Sequence, residues 1–154
     1  MKRSNTTKTL AIAAVAALAL AIAPAAKAQV NKGCNNATLQ GTFAYTVTGA
    51  FVAAPAPLGP YASAGTQTFD GKGGTIVTGM QNTNGAISPV ANTGTYTVNP
   101  DCTGTYAVQV SPLGITAHYF FVILDSGDEF KWICTDPGTV LTGVARKLYP
   151  GRAI

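Results

Sequence analysis

Leu39-Gln40-Gly41-Thr42-Phe43-Ala44-Tyr45-Thr46-Val47-Thr48 carries Leu, Gly, Phe, Tyr and Val at its odd positions and Gln, Thr, Ala, Thr and Thr at its even ones. Successive side chains of a strand point to opposite faces, so this stretch predicts a strand with one buried and one wet face. Comparable patterning recurs over residues 62–69, 75–81, 93–98, 103–110, 116–124, 129–135 and 139–148, with a fainter stretch at 85–90. Nothing from residue 38 onward holds a 3.6-residue period for three turns, so helix is not the organising element.

The connections between these stretches are turn chemistry: Asp70-Gly71-Lys72-Gly73-Gly74, Asn84-Gly85, Asn99-Pro100-Asp101, Asp125-Ser126-Gly127-Asp128 and Asp136-Pro137-Gly138. The exception is residues 53–60, whose three prolines argue against a central strand and predict an extended loop. The chain therefore reads as an all-β protein, a small antiparallel meander of about eight strands. A meander of that size leaves two exposed edges unless it closes, and closure into a β-barrel removes both. Gly41, Gly65, Gly79 and Gly143, inside predicted strands, suit the bends of a small barrel. A two-sheet β-sandwich is the alternative architecture. An immunoglobulin arrangement is disfavoured, because Trp132 does not lie between two suitably spaced cysteines.

Ahead of this domain, Lys2, Arg3 and Lys8 precede an uncharged run from Leu10 to Ala23, and Ala26-Lys27-Ala28 follows. A basic region, an apolar region and an A-x-A site in that order predict a secretory signal over residues 1–28, cleaved near Ala28. The apolar run is shorter than the roughly 20 residues that span a bilayer, so no stable membrane anchor is expected. The mature domain is then residues 29–154, secreted or periplasmic. The whole chain has 10 Lys+Arg against 6 Asp+Glu, but Lys2, Arg3, Lys8 and Lys27 leave with the signal, and bases then equal acids. Electrostatic capture of nucleic acid has no basis in such a domain.

Three cysteines in an exported chain predict one disulfide and a leftover thiol. Cys34 and Cys102 sit among turn-forming residues and are the expected pair. Cys134 alternates with Phe130 and Trp132, as a buried small hydrophobe does.

Catalytic residue types are scarce. The one histidine, His118, alternates with Phe120 and Val122. It reads as a satisfied structural group or, if that face is interior, as a ligand-contacting or proton-transferring one, and it is the only candidate catalytic residue. Neither C-x-x-C nor H-x-x-x-H occurs, so no metal site and no cofactor are predicted. Asp70-Gly71-Lys72 opens like a calcium loop, but Lys72 occupies a ligand position and no Glu stands twelfth. Asp125, Asp128 and Glu129 read as a solvated hairpin tip rather than a glycosidase pair. A transmembrane barrel fits poorly, since most strands are short and present Thr, Gln and Ser on their second face. Residues 119–124 are apolar on both faces, which predicts a cover for the outer side and, as one form of it, a homo-oligomer.

The pattern Cys34 … Leu39-Gln40-Gly41-Thr42-Phe43 … Phe69-Asp70-Gly71-Lys72-Gly73 … Gly94-Thr95-Tyr96-Thr97-Val98-Asn99-Pro100-Asp101-Cys102-Thr103-Gly104-Thr105 resembles a group of small exported bacterial proteins of unassigned function. In outline the chain is also similar to allene oxide cyclase/dirigent barrels and to lipocalin-like barrels. That outline implies an interior able to hold a small apolar molecule and, for the first group, a trimer. The leading expectation is a non-catalytic barrel binding a small apolar ligand, with Phe43, Tyr45, Phe69, Tyr96, Tyr106, His118 and Trp132 as candidate ligand-binding residues. The alternatives are a cyclase or isomerase of an apolar substrate assisted by His118 or a tyrosine, and an envelope or surface interaction module.

Overall fold

The structure, a computed structural model, describes residues 33–54, 56–111 and 113–149. The signal read over residues 1–28 lies outside the described residues. Eight antiparallel strands follow in chain order: β1 Gly41–Phe51, β2 Gly59–Phe69, β3 Gly74–Thr83, β4 Ala86–Val98, β5 Thr103–Val110, β6 Ile115–Leu124, β7 Glu129–Cys134 and β8 Thr139–Lys147. Each pairs with its neighbours in sequence, and β8 pairs with β1, so the meander is a closed barrel and not a sandwich.

The faint stretch near residue 85 and the strand predicted over 93–98 form one strand, β4. Pro89 is tolerated within it because only Thr93–Val98 pair with β5, which leaves the first half of β4 bonded on one side. The proline-rich segment is shorter than predicted, since β2 already begins at Gly59 and Pro60 pairs with Ala50 near the end of the ladder.

Alternation assigns the interior. Phe43, Tyr45 and Val47 of β1 point inward, and their registers carry the inner face around the wall: Tyr45 opposes Gly65, Gly65 opposes Gly79, and Gly79 opposes Val90. Gly65 and Gly79 have no side chains because a Cβ on either would strike the backbone of the other, and the Tyr45 ring fills the space above them. Gly143 and Gly104 admit Trp132 and Phe121 in the same way.

The ends differ. β1, β3, β5 and β7 finish at one end, which we call the mouth; β2, β4, β6 and β8 finish at the other. That second end is filled. Phe43, Phe69, Phe130, Phe121 and Leu39 are its largest buried side chains, and edge-to-face rings 5.4–5.6 Å apart join Phe43 to Phe69 and Phe130. Leu39 arrives on a 3₁₀ turn, Asn36–Leu39, started by reciprocal bonds between Asn35 and the Ala37 and Thr38 positions. The Asn36 side chain accepts from Val98 N–H, its carbonyl accepts from the Tyr96 hydroxyl, and Cys34 is disulfide-bonded to Cys102. The expected disulfide is thus present, and Cys134 is a free, buried thiol.

Candidate functional site

Because aromatic rings fill the far end, the remaining interior space is displaced toward the mouth. There the barrel holds a cavity of ≈ 60 Å³ in its water-sized interior space, bounded by side chains of all eight strands, among them Tyr45, Tyr61, Ser63, Gln67, Val90 and Asn92. A single water needs about 10–15 Å³ on that scale, so the space suits about four to six water-sized groups, or one small ring.

The cavity wall is aromatic with a polar stripe. Tyr106 and Tyr119 oppose each other across β5 and β6 and stack at 4.4 Å, and Trp132 meets Tyr119 edge-on at 5.0 Å. Burial pushes both phenols well above their ordinary range, and the neighbouring Tyr119 adds to the shift of Tyr106, so both are neutral hydroxyls at physiological pH. On the opposite side, Ser63 Oγ donates to the Met80 carbonyl at 3.0 Å and therefore accepts from the Tyr45 hydroxyl at 3.1 Å. Tyr61 donates to Gln81, and Gln67, 3% exposed, donates to Thr75. The indole N–H of Trp132 is buried with no hydrogen-bond partner among the described residues, at a cost of about 1–3 kcal/mol.

The predicted site residues separate into three groups. Tyr45, Tyr106 and Trp132 line the cavity. Phe43, Phe69 and Tyr96 lie together below it, where Phe69 contacts both Phe43 and Tyr96 edge-on. His118 is on neither surface. Its face of β6, shared with Phe120 and Val122, is the outside of the barrel, because Tyr119, Phe121 and Ile123 supply the interior set. The His118 ring is more than half exposed and bonds through Nδ1 to Asp136 at 2.8 Å. Sequence reasoning did not select Tyr61, Ser63 and Gln67, although all three share parity with Phe69 on β2, and that parity was a usable signal.

Cys134 lies 3.8 Å from Asp136, and burial pushes its thiol pKa up, away from thiolate character. Glu129 is not a solvated tip residue: it is buried and paired with Arg146 at the closed end, away from the cavity. No cluster of three or more His, Cys, Asp or Glu that could hold a metal occurs among the described residues.

The chain is, by its fold, a closed eight-stranded antiparallel β-barrel with an off-centre interior cavity. Its solved structural neighbours are redesigned proteins of that class. One is the redesigned β-barrel mFAP1 bound to DFHBI, at TM-score 0.51 and 23% identity, covering 73% of this chain and 97% of that one. Another is the redesigned β-barrel b11L5F_LGL, at TM-score 0.54 and 21% identity, covering 74% and 95%. At these identities the likeness establishes the fold alone. No family model matches the chain, and no curated protein matches it significantly.

Proposed function

We propose that this protein is an exported, non-catalytic carrier of a small, largely apolar molecule, bound in the mouth-side cavity. The observation that carries the reading is the unequal filling of the barrel, solid with phenylalanine at one end and open between tyrosines and Trp132 at the other. Stability alone gives no reason to leave interior space, since empty cavities are destabilising. The lining also states what fits. Aromatic walls favour a flat ring, while Ser63, Gln67, Asn92 and the neutral phenols favour a hydrogen-bonding substituent on it, so a monocyclic phenol or a similar small aromatic is the best-matched class. The mFAP1 barrel, of the same fold, is bound to a small molecule, which supports the capacity of this architecture.

Export is supported by the signal-like N-terminus together with the Cys34–Cys102 disulfide, a bond typical of oxidising compartments. We place the chain with the small exported bacterial proteins that it resembles. Among the described residues no helix is long and apolar enough to cross a membrane.

Native mass spectrometry of protein purified from its own host is the direct test. A retained small molecule, released on unfolding, is expected; protein recovered from its host with an unliganded mass under conditions that preserve weak complexes would contradict the reading.

A further inference from the structure

Charged side chains gather toward one end of the barrel axis. Asp70, Lys72, Asp101, Asp125, Asp128, Glu129, Arg146 and Lys147 all stand at the closed end. Of the other charged side chains among the described residues, Lys131 is on the wall of β7, and Asp136 is in a mouth-side turn, tied to His118. The mouth carries the opposite surface. All four connections there present a large exposed aliphatic at the tip or its flank: Val52 and Leu58 between β1 and β2, Ile87 just after the β3–β4 turn, Leu113 between β5 and β6, and Val140 just after the β7–β8 turn. Each is more than half exposed, and Ile87 reaches 71%. Exposed apolar side chains also occur elsewhere, on the wall at Ile76, Met80, Phe120, Val122 and Ile133, at the start of β6 at Ile115, and at the closed end at Leu148 and Tyr149, but only at the mouth does every connection carry one.

We propose that the mouth rim docks on the surface of a lipid bilayer, with Val52, Leu58, Ile87, Leu113 and Val140 entering the boundary between headgroups and acyl chains. The spacing of these groups favours a membrane over a protein partner. They sit on four separate connections around a ring, which a fluid interface accommodates one by one, whereas a protein interface needs a contiguous, densely packed centre. The rim has no Lys or Arg, so attraction to anionic headgroups does not contribute, and Asp136 opposes it. Docked in this way, the cavity opens onto the bilayer, and an apolar molecule passes between the two without crossing water. That exchange rests on the carrier reading above; the docking itself does not.

The test is co-sedimentation of the purified protein with phosphatidylcholine vesicles at low and at high salt. Binding that is unchanged by salt and not improved by adding phosphatidylglycerol is expected. Leu58→Ser combined with Leu113→Ser should weaken partitioning at least roughly tenfold, while Ile76→Ser on the wall should leave it unaltered. These side chains are exposed, and unchanged circular dichroism and melting would confirm that the variants fold. Failure of the wild type to sediment, equal loss in the wall variant, binding only to anionic vesicles at low salt, or rim-dependent self-association without lipid would each overturn the proposal. Val90→Phe, which fills the cavity, separates the two readings: it should weaken small-molecule binding more than tenfold yet dock on vesicles like the wild type.

Discussion

The indole of Trp132 lies over Gly143, its partner on the neighbouring strand, so closely that a Cβ there would collide with Cε2 and Cζ2. The bare glycine lets the largest side chain of the protein lie back against the wall, and the volume it vacates is part of the cavity. Trp132 is also the sole tryptophan of the chain, so its emission reports on this one place.

Gly143→Ala should therefore push the ring into the cavity and, because the new Cβ also meets the Thr46 backbone carbonyl, destabilise the fold by about 1–3 kcal/mol through overpacking. Denaturant unfolding measures the loss, and a shift of native-state tryptophan emission locates it. A variant with wild-type stability and emission would mean that the ring has room to spare.

Cys34–Cys102 fastens the segment bearing Leu39 to the β4–β5 turn and closes a loop with a sequence separation of 68. Cys34→Ser with Cys102→Ser should cost about 2–4 kcal/mol by freeing the unfolded chain. Amide exchange in the double variant is expected to rise at residues 33–40 before it rises in β2 or β3.

Alkaline pH should unfold the barrel through its tyrosines. Burial raises the Tyr106 and Tyr119 phenols above the usual 10.0, and Tyr45, Tyr61 and Tyr96 are raised as well. An unfolded tyrosine loses its proton first, so this contribution is complete below about pH 10 and is lost as pH climbs above it. The phenolate absorbance of these five tyrosines is expected to appear in one cooperative step coincident with loss of β-sheet ellipticity, not as independent titrations in the folded protein.

Asp136 is one of three carboxylates that shape the acid limb, together with Asp70 and Asp101, whose carboxyls are also held below their ordinary value by hydrogen bonds. Burial works to raise the Asp136 carboxyl, but the hydrogen bonds from the His118 backbone N–H and ring, with the charge of that ring, outweigh it and hold the pKa below 3.8. A depressed carboxylate stabilises above its unfolded pKa and stops doing so as pH falls through the folded one. The wild type should lose melting temperature below about pH 4, and Asp136→Asn should make that part of the curve shallower while costing about 1 kcal/mol at neutral pH.

Much of the wall was legible in the sequence because alternation is a local property. Residues 41–48 read correctly as one inward and one outward face, Leu39 lies instead on the 3₁₀ turn ahead of β1, and clusters of Asp, Asn, Pro and Gly marked most strand ends. The closing pair was inferable only from the cost of open edges, and the structure supplies it as β1 against β8. β6 was the ambiguous strand: with apolar residues at almost every position from 119 to 124, period-2 patterning does not choose a face. Its interior side follows from Gly104, whose missing side chain makes room for Phe121. Tyr45, Tyr106 and Trp132 on the cavity wall were legible, but the cavity itself was not. Whether four phenylalanines and a leucine fill a barrel or leave ≈ 60 Å³ beside them depends on stagger and ring orientation, which no linear pattern encodes.

Filling that space should be possible without unfolding the protein. Val90 lies on the cavity wall opposite Gly79, and Val90→Phe is expected to keep the fold with a change in stability within about 2 kcal/mol while lowering the affinity for a small aromatic probe more than tenfold. Isothermal titration with p-cresol, run alongside a thermal melt, distinguishes lost volume from lost structure.

The most direct measurement is the single indole ¹H–¹⁵N resonance of Trp132 during a p-cresol titration of wild type and Val90→Phe. The carrier account predicts a saturable shift of that resonance in the wild type, reproduced in neighbouring tyrosine ring signals and absent from the filled variant. An indole signal that stays fixed up to the solubility limit of the probe, or that moves equally in both proteins, would contradict it.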